Sequence, residues 1–271
     1  MVQRNFGNAA GELLAHHITT IAMPGRKDVL VDQIMRLLPR IFKRVPQDAS
    51  WGFDTHTRGD PDLGFVWKRG TARSGDTRED IKLYLHWNPA LPGLFRGRSI
   101  TGRDLELLMQ LCEELFYLTL TQAIRLAQDI DSLIPGIKLT TKIRSPEGTQ
   151  ANGANDHVLR ILIYQQVHPD LAGQIGQEHD DRDGLTLALH ESSPGLEYLS
   201  PSDGQWRPAS SDPGQALVFP GLKMGELTDG DLPALRHRVM DSTASLNPRI
   251  KRVSIVMFIH PYNGYCRLRT H

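Results

Sequence analysis

The feature that most constrains the fold is a change of hydrophobic period near residue 157. From there onward, short apolar segments alternate with clusters of Gly, Pro, Asp and Ser, a pattern typical of β-strands. The six clearest segments are residues 157–166, 185–190, 196–199, 215–219, 235–240 and 251–260. Six or more such strands predict a double-sheet jelly roll, a shape that can enclose a cavity between its sheets.

The first half of the chain follows a different pattern. Residues 29–45 and a long segment that begins near residue 101 carry apolar side chains at spacings of three and four, which predicts helices. Residues 49–97 are polar and Gly-rich, with only short strand candidates such as 80–86. Because no clear linker separates the halves, we predict one domain over residues 1–271. The fold class is mainly β with flanking helices: a mostly helical or irregular N-terminal support region (1–150) and a double-stranded β-helix core (151–271).

Charge and cysteine content restrict the partners and the compartment. Lys+Arg and Asp+Glu both total 31, so there is no electrostatic reason to expect nucleic acid or an anionic membrane as a partner. The two cysteines, Cys112 and Cys266, cannot form a disulfide framework. The N-terminus lacks a signal-peptide core, and no apolar run is long enough to span a membrane. We therefore expect a cytoplasmic protein that acts on a small molecule; the oligomeric state stays open.

His179, Asp181 and His237 form a candidate metal site. His179 and Asp181 are two apart, so in an extended segment both point to one side while Asp180 points away. His237 lies in another apolar segment, from which we expect it to reach the metal from across the cavity. Two imidazoles and one carboxylate suit Fe(II) and leave one face of the metal open, although the same ligands also suit zinc or manganese. Singly, either histidine would be an ordinary core or surface residue.

Arg252 and Ser254 form a candidate anion site fifteen residues later. They are two apart at the start of an apolar strand, so they share a face. A guanidinium binds a carboxylate through two parallel hydrogen bonds, and a hydroxyl adds a third. A small 2-oxo diacid could then chelate iron at one end and pair with Arg252 at the other. The alternative is that Arg252 extends to solvent at the strand end.

These motifs resemble those of the Fe(II)/2-oxoglutarate-dependent oxygenases, in particular the subgroup that includes isopenicillin N synthase. The resemblance covers residues 158–261 and is carried by LRILIY, HPDLAGQIGQEHDDRDGLTLAL, GLKMGELTDGDLPALRHRV and RVSIVMFIHP. It implies a site with Fe(II), 2-oxoglutarate as co-substrate, and O2. By residue, it implies iron ligation by His179, Asp181 and His237, and co-substrate contacts from Arg252, Ser254 and Tyr164.

The sequence also departs from the family pattern. Leu162 stands where many relatives have Asn, Leu222 where many have Asp, and the interval from His237 to Arg252 is longer than usual. None of these departures removes an implied iron ligand.

The activity implied by the resemblance is oxidation, most often hydroxylation, of a substrate C–H bond, with release of succinate and CO2. Asp181 argues against a halogenase, which usually has a small residue at that position. Two alternatives stay open: an oxidase or cyclase of the isopenicillin N synthase kind, which uses the same triad without 2-oxoglutarate, and a non-catalytic binding module on the same fold.

The substrate pocket is expected to take residues from three regions. They are the irregular front segment (Trp51, Phe53, His56 and Arg69 are examples), residues 198–212, and the C-terminal tail with Tyr262, Tyr265, Arg267 and Arg269.

Overall fold

The computed structural model describes residues 6–46, 48, 50–55, 62–71, 79–143, 157–166, 174–240 and 252–261. Its helices are α1 (Phe6–His16), α2 (Arg26–Phe42), α3 (Leu91–Gly97), α4 (Arg103–Leu133), α5 (Leu139–Ile143) and α6 (Leu222–Leu227). Its strands are β1 (Thr19–Ala22), β2 (Gly52–Phe53), β3 (Leu63–Thr71), β4 (Glu79–Trp87), β5 (Val158–Gln166), β6 (Gln174–His179), β7 (Leu185–Glu191), β8 (Leu196–Leu199), β9 (Trp206–Pro208), β10 (Gln215–Pro220), β11 (His237–Met240) and β12 (Arg252–Ile259).

Two antiparallel sheets form the predicted jelly roll. The major sheet has the strand order β1-β10-β7-β12-β5-β4-β3-β2, and the minor sheet has the order β6-β11-β8-β9. All six strands predicted after residue 157 are present, with ends shifted by two residues at most. The fold class is therefore confirmed. The single-domain assignment stays a prediction.

The N-terminal region contains more strand than its sequence indicated. Strands β3 and β4 are each nine residues long and extend the major sheet beyond β5, while β1 adds to its other edge. In β4, Leu83, Leu85 and Trp87 are buried on one face, and the residues between them are polar or aromatic. Those intervening side chains mask the strand pattern in the sequence, because they face a cavity rather than a second apolar layer.

The helices cover one face of the major sheet. Helix α4 is 31 residues long and turns Leu108, Leu115 and Phe116 fully inward, where Phe116 lies 5.2 Å from the Trp87 ring. Helices α1, α2 and α5 pack against α4. The predicted helical support region is thus present. Among the described residues, none of the helices is long and apolar enough to span a membrane.

The opposite face of the major sheet turns towards the minor sheet, and a second, smaller apolar cluster lines the space between them. Its buried members are Tyr164, Ile175, Ala188, Leu196, Ala209, Leu217, Phe219, Leu235 and Val239. Along β5 and β12 the two faces alternate, so Ile163 and Val253 join the helix-side core while Tyr164 faces the space between the sheets. We call this space the cavity.

Two aromatic residues predicted to line the substrate pocket lie elsewhere. Phe53 is buried in the helix-side core, and Trp51 packs against that core. Both rings contact Phe95 of α3, at 5.4 and 6.4 Å between centroids. The prediction was wrong for these two residues, because edge-on packing against Phe95 buries their rings on the helix side of the major sheet. His56, the side chain of Arg69, and the tail residues Tyr262, Tyr265, Arg267 and Arg269 lie outside the described residues.

His157 joins the helical region to the end of β12. Its Nε2–H donates to the carbonyl of Ile143 at 3.1 Å, and its Nδ1 accepts from the backbone N–H of His260 at 3.0 Å. The ring is 4% exposed. Burial, only partly offset by the Ile143 carbonyl, lowers the pKa of His157 to about 4. The ring is therefore held as one neutral tautomer.

We predict that this histidine makes the fold sensitive to acid. As pH falls below the ordinary pKa of 6.5, the unfolded chain takes up a proton that the folded chain resists until about pH 4. The free energy of unfolding should fall by about 2 kcal/mol from this group between about pH 7 and about pH 4.5. Urea unfolding of wild type and His157→Gln, both with chelator, measures this as a difference in pH dependence. Equal pH dependence in the two proteins would contradict the assignment.

Candidate metal centre

Three predicted ligands converge at the mouth of the cavity. One ligand atom from each of His179, Asp181 and His237 lies within 4.8 Å of the others. The two imidazole centroids are 4.3 Å apart. His179 Nε2 is 3.5 Å from Asp181 Oδ1, and His237 Nε2 is 3.8 Å from Asp181 Oδ2. Two nitrogens and one carboxylate oxygen at this spacing fit a facial metal triad.

Backbone carbonyls fix the orientation of both imidazoles. His179 Nδ1 donates to the Gln177 carbonyl at 2.7 Å, and His237 Nδ1 donates to the Leu235 carbonyl at 3.0 Å. A carbonyl only accepts, so each Nδ1 carries the proton and each Nε2 is directed at Asp181. This outer support is what metal-binding histidines ordinarily have. The ring of Phe219, 4.9 Å away, packs against His237.

Asp181 concentrates negative charge between the imidazoles. Burial by itself would raise its pKa, but the adjacent His179 imidazole, the nearby His237 and the Thr186 hydroxyl outweigh burial and lower the pKa to about 2. Thr186 Oγ1 donates to Asp181 Oδ2 at 2.6 Å. The same carboxylate raises the pKa of His179, whereas burial lowers the pKa of His237. The site therefore favours a cation at its centre, and a metal ion meets that requirement.

The strand arrangement around the triad differs from the sequence prediction in one respect. His237 does not reach across the cavity, because β11 pairs with β6 and places His237 directly beside His179 in the minor sheet. Asp181 is the ligand that bridges to the major sheet, through the turn before β7. Asp180 points away as predicted and lies 3.3 Å from Arg236. His179 is half exposed, while Asp181 and His237 are buried.

A backbone clamp holds the turn that carries Asp181. Leu222 N–H donates to the Asp181 carbonyl at 2.8 Å, Gly221 N–H donates to the Gly184 carbonyl at 2.8 Å, and Lys223 N–H donates to the Asp183 carbonyl at 3.1 Å. A Cβ at Gly221 would lie 2.4 Å from the Asp183 carbonyl oxygen and 2.7 Å from that of Asp181. The clamp therefore requires glycine at this position. Leu222, where relatives often have Asp, contributes through its backbone.

Arg252 is buried in the cavity wall, which excludes the alternative that it extends to solvent. It is 2% exposed, and its guanidinium lies 5.6 Å from the ring of Tyr164, its partner across β5 and β12. Nε donates to the Ser193 carbonyl at 3.2 Å. Nη2 is buried and makes no hydrogen bond of normal geometry among the described residues, although the carboxylate of Glu191 lies beside it. A buried guanidinium on the cavity wall can bind a carboxylate ligand.

Glu191 is a neighbour of Arg252 that the sequence analysis missed. Its Oε1 lies 2.5 Å from Arg252 Nη2, an ion pair whose angle is too poor for a hydrogen bond. Burial raises the pKa of Glu191, and Arg252 opposes that rise. The one sequence signal was an acid that ends an apolar strand. Ser254, 4% exposed, lies opposite Glu191 and Leu162 in the sheet, so the structure brings Arg252, Ser254 and Tyr164 to one cavity face.

Comparison with known proteins agrees with this geometry. The family model of the 2OG-Fe(II) oxygenase superfamily matches residues 155–261, which contain the triad and Arg252. Residues 155–261 belong to the 2OG-Fe(II) oxygenase superfamily. This segment is the jelly-roll part of the chain from β5 to β12. The superfamily assignment made from the motifs is thereby confirmed.

Curated relatives match a part of the chain. One is 2-oxoglutarate-dependent dioxygenase 21, chloroplastic, from Oryza sativa subsp. japonica, 38% identical over 93 residues, which are 34% of this chain and 26% of that protein. Another is leucoanthocyanidin dioxygenase 1 from Oryza sativa subsp. indica, 32% identical over 135 residues, which are 48% of this chain and 34% of that protein. The chain therefore spans about a quarter to a third of the length of these relatives.

The fold as a whole resembles solved oxygenase structures. The dioxygenase for auxin oxidation in rice superposes with a TM-score of 0.66 at 17% identity, over 96% of this chain and 78% of that chain. A full-length Neurospora crassa protein in complex with alpha-KG superposes with a TM-score of 0.69 at 17% identity, over 94% of this chain and 79% of that chain. At this identity the likeness establishes the fold alone. It extends well beyond residues 155–261, so the N-terminal helices and strands belong to the shared architecture.

The clamp gives a testable prediction for metal binding. Gly221→Ala should weaken Fe(II) affinity at least tenfold, because the new Cβ pushes the Asp181 carbonyl and displaces its carboxylate. Gly225→Ala is the matched control, since a Cβ there meets its nearest atom at 3.5 Å. Anaerobic competition with a colorimetric chelator measures both affinities. Unchanged affinity in Gly221→Ala would show that the clamp does not position the ligand.

Proposed function

We propose that the protein is an Fe(II)- and 2-oxoglutarate-dependent dioxygenase that oxidises, most often by hydroxylation, a C–H bond of a small molecule and releases succinate and CO2. The observation that carries the proposal is the presence of the His179–Asp181–His237 triad and the buried guanidinium of Arg252 on the same cavity. The membership of residues 155–261 in the superfamily supports it.

The proposed iron ligands are His179, Asp181 and His237, and the proposed co-substrate contacts are Arg252, Ser254 and Tyr164. When bound, Fe(II) supplies the position at which O2 is activated. Arg252 would bind the distal carboxylate of 2-oxoglutarate, with the Ser254 hydroxyl beside it and the Tyr164 ring against the guanidinium. Leu162 offers no polar contact here, so co-substrate orientation depends on fewer hydrogen bonds than in relatives with Asn.

The chain's own residues also control water and charge around the reaction. Phe219 of the major sheet and Leu235 and Val239 of the minor-sheet side are buried in the cavity lining, where Phe219 packs on His237 and shields it from water. Thr186 holds one oxygen of Asp181, which leaves the other directed at His179. The fixed Nδ1 protons of both histidines keep their Nε2 lone pairs on the metal side. These features hold the three proposed metal ligands in position, so that metal binding requires no large rearrangement.

A second candidate is an oxidase of the isopenicillin N synthase kind that needs no 2-oxoglutarate. The ion pair between Arg252 and Glu191 favours it, since an internal acid already offsets the buried cation. The names of the curated relatives favour the first candidate. We also propose a role in specialised metabolism, supported by the likeness to leucoanthocyanidin dioxygenase 1, and a cytoplasmic location, where a reducing environment preserves Fe(II).

The decisive experiment is an anaerobic titration of the Fe(II)-loaded protein with 2-oxoglutarate, monitored by the visible charge-transfer band of the chelate. We expect a saturable band that His237→Ala abolishes. Arg252→Gln should weaken 2-oxoglutarate binding by about 10- to 100-fold, since it removes a charge-assisted pair of hydrogen bonds. Arg238→Gln, which breaks an ion pair with Glu197 on the minor sheet, is the control. Iron bound without any band would favour the oxidase.

Glu191 gives a second prediction for the same titration. Because its carboxylate competes with the co-substrate for Arg252, Glu191→Gln should tighten 2-oxoglutarate binding by about threefold to tenfold, the equivalent of roughly 1 kcal/mol. Glu197→Gln, which removes an acid paired with Arg238, should have no effect. Weaker binding in Glu191→Gln would instead mean that this acid orients Arg252.

A further inference from the structure

Arg160 is a cation on the cavity face of the major sheet that the proposed reaction does not use. Along β5, Leu159, Ile161 and Ile163 enter the helix-side core, so Arg160 shares the opposite face with Leu162 and Tyr164. The side chain is half-buried. A guanidinium in the middle of a sheet, facing a cavity, carries a desolvation cost that needs a compensating interaction.

Its neighbours hold the guanidinium in one place. It lies between two aromatic rings, 5.0 Å from the Tyr84 centroid and 4.4 Å from the Phe258 centroid. Arg160 Nε donates to His86 Nε2 at 2.9 Å, and His86 Nδ1 lies 3.1 Å from the Asp62 carbonyl oxygen. That carbonyl only accepts, so His86 carries a proton on Nδ1 and accepts at Nε2. The hydrogen bond to His86 uses Nε of the guanidinium. The two terminal nitrogens form the other edge of the guanidinium, which can donate to a ligand.

No acidic side chain neutralises Arg160 within the part of the chain that the structure describes. Three other arginines of the jelly roll are paired with acids: Arg252 with Glu191, Arg238 with Glu197, and Arg236 with Asp180 and Glu178. Arg160 therefore places a positive charge on this side of the cavity, which suits an anion.

Strand pairing places Arg160 within reach of the metal but away from the co-substrate anchor. Phe258, which stacks on Arg160, is paired across β12 and β7 with Thr186, whose hydroxyl holds Asp181. Strands β5 and β7 are separated by β12, so Arg160 lies roughly 10 Å sideways from the strand that follows the metal turn. Arg252 is opposite Tyr164, four residues along β5 and roughly 13 Å from Arg160.

We propose that Arg160 binds the carboxylate of an organic-acid substrate and so places a C–H bond of that molecule at the metal. Two parallel hydrogen bonds from the terminal nitrogens would hold the carboxylate, while Tyr84 and Phe258 provide apolar walls for the adjoining carbon chain or ring. The role as a substrate contact rests on the proposed function. The anion site itself does not, since it depends only on Arg160, His86 and the two rings.

The test compares acids with their uncharged amides as probes of the full-length chain. Benzoate, phenylacetate and 3-phenylpropionate, each beside its amide, are titrated by ligand-observed NMR with Fe(II) and 2-oxoglutarate under anaerobic conditions, and again without either. We expect at least one acid to bind about tenfold or more tightly than its amide. Arg160→Gln should abolish that preference, and Arg160→Lys should retain part of it.

Two controls separate this site from other cations. Arg238→Gln removes a guanidinium that also lies over an aromatic ring, 4.2 Å from Trp206, and should leave the preference intact. Arg252→Gln should also leave it intact. No acid preference in any pair, a preference that survives Arg160→Gln, or one lost only in Arg252→Gln would each overturn the proposal. If Arg160→Gln fails to fold, the partial loss expected in Arg160→Lys decides.

Failure of the proposed function would give a different result from failure of the anion site. The charge-transfer band with 2-oxoglutarate would be absent, while the acid preference measured without iron would persist. With both present, succinate release that an acid probe stimulates in wild type and in Arg238→Gln, but not in Arg160→Gln, connects the anion site to turnover.

Discussion

The candidate centre depends on the backbone clamp in which residues 221–223, directly after β10, bind the turn that carries Asp181. The minor sheet supplies both imidazoles from neighbouring strands, so their spacing follows from ordinary antiparallel pairing. The position of the Asp181 carboxylate is not set by strand pairing, because Asp181 lies in a turn. Three backbone hydrogen bonds and the Thr186 hydroxyl replace the missing strand partner and make that turn a rigid support.

The jelly roll and the triad were predictable because each leaves a short-range signal. Strands 196–199 and 215–220 show as apolar runs between turn residues, and the His-x-Asp spacing is local. Arg252 was recognisable because a charged residue opens an apolar strand. Strand β4 was underestimated since Lys82 and His86 on its cavity face are polar, which in the sequence looks the same as exposure to solvent.

Contacts set by the tertiary structure were not predictable from one sequence. Glu191 is adjacent to Arg252 only because β7 and β12 pair at that register, and an acid at the end of an apolar strand does not by itself identify that partner. The direction from which His237 reaches the metal depends on β11 joining β6 rather than the opposite sheet. Trp51 and Phe53 are aromatic, as residues of a substrate pocket often are, but their rings pack against Phe95 instead. Strand order and side-chain stacking decide these cases.

The position of Arg160 on β5 has a kinetic consequence. The whole chain has equal numbers of acidic and basic residues, so it does not attract an anion over a long distance. The Arg160 guanidinium nevertheless lies on the cavity face of the major sheet, beside His86 of β4. Its field extends about one Debye length, ~8 Å at physiological salt, so it acts only on a molecule already at the cavity mouth. Added salt would therefore slow the final docking of an anion and leave its diffusion to the protein unchanged.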